Sequence, residues 1–175
     1  MNIKAMNMFL SEDNIKRHLE HMRTQRLKLS ILEKSLPMLK GREMNEISRL
    51  PIDRGLQAEA LSLHWYIKSH ECFFNSFSES PGKSEKIDVS FGSREKFIYN
   101  LYLEAMKRDY GFIYVFLDRG VPKYRFVTEF DKAFLKLEPL LCLDLYEHSY
   151  FMDYGYSKDR FIRSALMYLD TGKLK

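Results

Sequence analysis

The stretch Leu140-Leu-Cys-Leu-Asp-Leu-Tyr-Glu-His-Ser-Tyr-Phe151 decides how this chain is read. Leu140 to Leu143, followed by Leu145, is a short apolar run of the kind that forms a buried strand. It ends on a carboxylate, Asp144. His148 follows four residues later, and Tyr146, Tyr150 and Phe151 supply aromatic bulk around the two. A carboxylate at the end of a buried strand is costly unless something compensates it. A neighbouring imidazole would do so, and so would a cation that both side chains ligate. Taken alone, the pair favours the plainer reading, an Asp–His hydrogen bond. The question is whether other metal-capable residues converge on it.

Working upstream, two helical patterns appear. Ser11 followed by Glu12 and Asp13 is a helix start, a capping hydroxyl and then acids suited to the positive end of the dipole. Ile15, Met22, Leu29 and Leu36 then recur every seventh residue, with His18, Gln25 and Leu32 between them. His18 therefore lies in the apolar stripe and His21 falls toward its edge. Pro37 and Gly41 end this helix, and a polar connection containing Pro51 runs from Gly41 to Gly55. In the second helix Leu56, Ala60, Leu63, Ile67, His70, Phe74 and Phe77 alternate spacings of four and three, a seam apolar except for His70. The stretch from Ser78 to Ser84, with Pro81 and Gly82, breaks it. Two helices joined this way form an antiparallel hairpin with facing seams, each carrying one histidine. For one such histidine a bonded core imidazole is the reading to prefer. Two facing ones, with Asp144 and His148 downstream, reverse that preference. His64 lies one step off the seam and reads as surface or as support behind the site.

Downstream of the break, Ile87 to Phe91 reads as a helical turn capped at Gly92-Ser93. Phe97, Ile98, Leu101, Ala105 and Met106 mark a third helix, stopped at Tyr110-Gly111. Phe112 to Leu117 is a β-rich run, Asp118-Arg119-Gly120 a hairpin turn, and Tyr124 to Thr128 the returning strand; Leu140 to Leu143 makes a third. Ser157 caps a last helix whose buried face is Phe161, Ile162, Ala165, Leu166 and Leu169. The expected class is α+β: an N-terminal antiparallel helical hairpin over residues 1–82, then a domain over 83–175 with a three-stranded antiparallel sheet flanked by helices. A metal site would lie between the two.

Composition narrows the function. A hydrophobic content of 45% in 175 residues is enough for one substantial core. The net charge of +4 comes from interleaved Lys, Arg, Asp and Glu, with no basic stripe, so no nucleic-acid partner is expected. Cys72 and Cys142 sit in apolar aromatic runs and read as buried reduced thiols; without a CxxC, a thiol-redox or cysteine-zinc site is not expected. Neither a signal peptide nor a membrane-length apolar run is apparent, which leads to the expectation of a soluble, cytoplasmic protein.

These residues together resemble the iron/manganese superoxide dismutases. Asp144-Leu-Tyr-Glu-His-Ser-Tyr150 is similar to that family's D-x-W-E-H-A-Y signature. Leu10 to His18 resembles its first-ligand helix, and His70 with Phe73-Phe74-Asn75 its second. Phe91-Gly92-Ser93 and Gly111 to Leu117 look like its middle motifs. The resemblance implies metal ligation by His18, His70, Asp144 and His148, with one iron or manganese per subunit and superoxide as substrate. Three imidazoles and a carboxylate suit either metal. It also implies a homodimer in which Glu147 bonds the partner's ligand histidine, with Tyr146 and Tyr150 beside it at the interface.

The departures lie around the ligands. The family's gateway histidine and tyrosine, four and eight residues past the first ligand, are here Met22 and Arg26, and a tyrosine that bonds the gateway is Phe151. The approach to the metal would then run past Met22 and Arg26. The glutamine that iron enzymes place four residues before the second ligand is Tyr66; the manganese enzymes' glutamine would fall near Glu129; a tryptophan beside the Asp ligand is Tyr146. The family's Trp-containing last helix end has no counterpart. Tyr66 is expected to take over as catalytic donor, or else to ligate, as Glu129 is also equipped to do. Arg26 either draws in superoxide or is an ordinary solvent-facing arginine. Three functions remain open: a divergent dismutase, a non-catalytic relative of the same fold, and a different oxidative chemistry at the same metal.

Overall fold

The computed structural model describes residues 2–175. A short helix, α1 (Ile3–Met6), leads into α2 (Glu12–Ser35); α3 (Met44–Ile47) lies in the connection to α4 (Arg54–Asn75). Helices α2 and α4 run antiparallel, because His18 meets Phe73 and Phe74 while His21, further along α2, meets Tyr66. The Ser11 cap is the one the sequence announces: its hydroxyl accepts from the Asn14 amide at 3.2 Å. Asp53 caps α4 by accepting from the amides of Gly55 and Leu56, whereas Ser157 precedes the last helix without a side-chain cap bond. Pro37 has no N–H to continue α2, and the chain turns into a single 3-10 turn there. The connection between Gly41 and Gly55 is less plain than expected. It holds α3, whose Glu43 and Glu46 form a reciprocal capping box and whose Met44 and Ile47 are buried.

The second half begins with α5 (Glu85–Phe91), ended by Gly92 in the left-handed region, and α6 (Arg94–Met106), capped by Ser93. Three antiparallel strands follow: β1 (Phe112–Asp118), β2 (Val121–Val127) and β3 (Leu141–Asp144), in the order β2-β1-β3. Arg119 and Gly120 turn β1 into β2 with φ of 50° and 80°, the paired left-handed residues of a tight hairpin. The returning strand starts three residues earlier than its aromatic run suggested and takes in Pro122, tolerated because β2 is an edge strand. Two further helices, α7 (Phe151–Tyr154) and α8 (Lys158–Met167), complete an α+β architecture.

Two features position the site. Strand β3 packs on α4, so the sheet's short central pairing, Phe112 opposite Asp144, delivers the carboxylate to the helical hairpin. The tail after α8 clasps the end of α4: Phe77 pairs with Leu169, and the Asp170 amide donates to the Ser76 carbonyl at 2.8 Å. Gly82 and Gly172 touch there so closely that a Cβ on Gly172 would stand 2.9 Å from the Gly82 Cα. Arg94 secures the clasp from α6 by donating to the Leu169 carbonyl and the Thr171 hydroxyl. Among the described residues no helix is long and apolar enough to cross a membrane.

Candidate metal centre

Each of four chain segments contributes one donor. His18 lies on the buried face of α2, His70 on that of α4, Asp144 ends β3, and His148 stands in the 3-10 turn between β3 and α7. One ligand atom from each lies within 4.8 Å of all the others. Asp144 Oδ2 is 3.4 Å from His18 Nε2, 3.4 Å from His70 Nε2 and 3.2 Å from His148 Nε2. The His18 ring stands edge-on to both His70 and His148.

The surroundings hold these atoms in place. His70 Nδ1 donates to the Tyr66 carbonyl one turn back at 2.8 Å, which leaves Nε2 as the lone pair. That lone pair accepts from His148 Nε2 at 3.2 Å. The Tyr146 amide donates to Asp144 Oδ1 at 2.9 Å, aiming Oδ2 at the histidines. The Ser149 hydroxyl donates to the carbonyls of Asp144 and Tyr146, closing the turn that carries His148. Asp153 on α7 accepts from the Ser11 amide and the Asn14 side chain, tying that turn to the start of the His18 helix. Phe73 and Phe74 pack on His18, and Phe112 on His70.

Charge is unbalanced in this cluster. Burial alone would push the Asp144 carboxyl up, but attraction by His148, His18 and His70 outweighs it and holds the group below the usual carboxylate range. Burial pushes His18 down and His70 down to about 3, so both are neutral imidazoles. For His148 burial also acts downward, but the Asp144 carboxylate wins and raises it. Of the three imidazoles, only His148 has its charged form favoured by the site. Even so, Asp144 Oδ2 and both ring nitrogens of His18 are buried without a hydrogen-bond partner, despite separations of 3.2–3.4 Å. One ligand atom from each side chain faces the others across less than 4.8 Å, yet these three atoms make no hydrogen bond. Buried polar atoms are ordinarily partnered. A cation at that centre would satisfy Asp144 Oδ2 and His18 Nε2, and three imidazoles with one carboxylate suit iron or manganese.

The other residues singled out from sequence are distributed unevenly. Tyr66 lies against His70, ring centroids 4.0 Å apart, with its hydroxyl buried and unpartnered. Burial and the nearby Asp144 push that phenol well above its ordinary value, so it keeps its proton. Tyr146 stacks on His148 and donates from its hydroxyl to the Thr128 carbonyl. Glu147 is exposed, and Tyr150 is buried against Phe161. Arg26, more than two turns beyond His18, pairs with Glu71 at 2.7 Å on the surface. Glu129 is exposed past the end of β2 and is not among the converging donors.

A cleft of about 360 Å³ opens onto the centre, lined by Arg17, His18, His21, Glu147, His148, Phe151 and Met152. The approach thus passes Arg17 and His21 rather than Met22 and Arg26. Met22 is fully buried, because a residue four past an inward-facing histidine also faces inward. His21 was the residue not singled out beforehand: it lies edge-on to Tyr66 and 5.3 Å from the His148 ring. Its offset of three from His18 was the available signal.

The profile of the iron/manganese superoxide dismutases, C-terminal domain, matches residues 80–173, more than half of the chain. Asp144 and His148 fall inside the match; His18 and His70 precede it. No curated protein matches the chain.

Proposed function

Because the chain belongs to the iron/manganese superoxide dismutase family, we propose that it is a divergent dismutase, converting superoxide to dioxygen and hydrogen peroxide. His18, His70, Asp144 and His148 would hold one iron or manganese per subunit. The observation that carries this reading is the convergence of the four donor atoms on a centre where buried lone pairs lack partners. When bound, the metal supplies one-electron chemistry, by which two superoxide ions and two protons give one dioxygen and one hydrogen peroxide.

The chain's own residues supply the rest. Asp144 offsets the charge of a cation in a site of low polarity, and the Tyr66 carbonyl keeps His70 in the ligating tautomer. The protonated Tyr66 hydroxyl is a hydrogen-bond donor at the position where iron enzymes of the family carry an amide. Arg26 shares its charge with Glu71, so Arg17, at the cleft itself, is the better-placed attractor of an anion. Residues 1–82 and 83–175 would act as two units with the metal between them. The free thiols support a reducing, cytoplasmic setting.

The test is superoxide decay catalysed by iron-loaded and manganese-loaded protein, normalised to bound metal. Metal-dependent decay is expected, slowed roughly 10-fold in Tyr66→Phe, the lower end for losing a group that supports a metal site. Full metal loading without decay would favour the second reading, a metal-binding relative without this activity; the gateway replacements Met22 and Arg26 point that way.

We further propose a homodimer formed over the cleft face. Phe151 and Met152 are 44% and 48% exposed there, and His148 turns Nε2 inward, leaving Nδ1 to donate to Glu147 of the partner subunit. Sedimentation velocity should give a dimer that weakens in Glu147→Ala. A wild-type monomer at micromolar concentration would refute the pairing.

A further inference from the structure

Cys72 on α4 and Cys142 on β3 are far apart in sequence and belong to no CxxC, yet the fold brings them together. Ser76 fastens their backbones: its hydroxyl donates to the Cys72 carbonyl at 2.7 Å and accepts from the Cys142 amide at 2.6 Å. The Cys72 thiol points toward the segment that carries Cys142, donating to the Pro139 carbonyl at 3.7 Å. Tyr114, opposite Cys142 in the sheet register, is fully buried beside them, and its hydroxyl is tied to Ser69 at 2.5 Å. The compartment is asymmetric. Cys72 is partly exposed and Cys142 is buried. One thiol is reachable by a small oxidant, and the other is placed to resolve what forms on the first.

We propose that Cys72 and Cys142 are a peroxide-oxidisable pair that closes to an intramolecular disulfide. The Cys72 sulfur attacks one peroxide oxygen, the O–O bond breaks, and a sulfenic acid and one water result. The Cys142 sulfur then attacks the Cys72 sulfur, the S–O bond breaks, and a second water leaves with the remaining thiol proton. Two thiols and one hydrogen peroxide thus give one disulfide and two waters. The supply of peroxide rests on the dismutation proposed above; the pairing of the thiols does not. The bond would join α4 two residues past His70 to β3 two residues before Asp144, so it would cross-link two of the elements that carry the metal donors.

The test uses added hydrogen peroxide on metal-free and on manganese-loaded protein, followed by acid quenching, alkylation under denaturing conditions and peptide mass spectrometry. Both thiols should disappear together, yielding one Cys72–Cys142 cross-linked peptide within a single chain, reversed by dithiothreitol. In Cys72→Ser, chosen because that position is the less buried, Cys142 should remain fully alkylatable after the same treatment. Persistence of both thiols would overturn the proposal. So would oxidation of Cys72 to sulfinic or sulfonic acid with Cys142 untouched, or a cross-link between chains. Since the peroxide is added, these outcomes do not depend on whether the chain produces it; the superoxide assay decides that separately.

Discussion

Asp144→Asn is expected to lose its metal while keeping its fold. The substitution retains Oδ1, which accepts from the Tyr146 amide, and is nearly isosteric at a side chain with no exposed surface. What it removes is the negative charge that three imidazoles face. Affinity for iron or manganese should fall at least about 100-fold, roughly 3 kcal/mol, given that even supporting groups of a metal site are worth 10- to 100-fold. The metal-free protein should stay folded but melt somewhat below wild type, because the attraction of the three histidines that holds the Asp144 carboxyl low is lost with the charge. Metal per chain after chelation and dialysis, with a melting curve of the stripped protein, separates the two effects. Near-stoichiometric retention in the variant would remove Asp144 from the ligand set.

Gly111→Ala should be the most damaging small substitution outside the cluster. Gly111 has φ of +126°, a backbone region that L residues rarely enter. A Cβ there would lie 2.7 Å from Phe126 Cε2 and 2.8 Å from the Val127 carbonyl oxygen, so the edge strand would have to move. The expected loss is about 3 kcal/mol or more from strain and overlap together, or roughly 10 °C in Tm for a domain of this size. The effect should reach the site. The Leu145 amide donates to the Gly111 carbonyl at 2.8 Å, and the next pair in the ladder is Phe112 with Asp144. Thermal unfolding of the metal-free variant measures the stability term; an unchanged Tm would show that the β1–β2 turn-in is softer than its contacts indicate.

Sequence patterning carried the helical hairpin well, for a physical reason. Long amphipathic helices repeat their burial signal many times, and an imidazole at a core position of each seam stands out against Leu, Ile and Phe. The same logic placed β3, where the apolar run stops on Asp144. One-turn elements were less legible. Helix α3 rests on the single pair Met44 and Ile47 and a capping box, and β2 begins before its aromatic run because Val121 and Pro122 pair with the end of β1. Relations between distant segments left no trace in the chain. Nothing near Asp153 announces that it ties down the start of the His18 helix, and nothing near Cys72 announces Cys142. The cleft was also misplaced by position counting along α2, since Met22 turns into the core and it is Arg17 and His21 that reach the opening.

Four side chains from four segments should bind one redox metal. The decisive measurement is anomalous scattering from crystals of manganese-loaded protein, collected on either side of the manganese edge. A single strong peak per chain is expected, surrounded by His18 Nε2, His70 Nε2, Asp144 Oδ2 and His148 Nε2. A fully loaded protein whose peak lies elsewhere, or a cluster that stays without metal while the protein is saturated with it, would remove these four side chains as the metal's ligands.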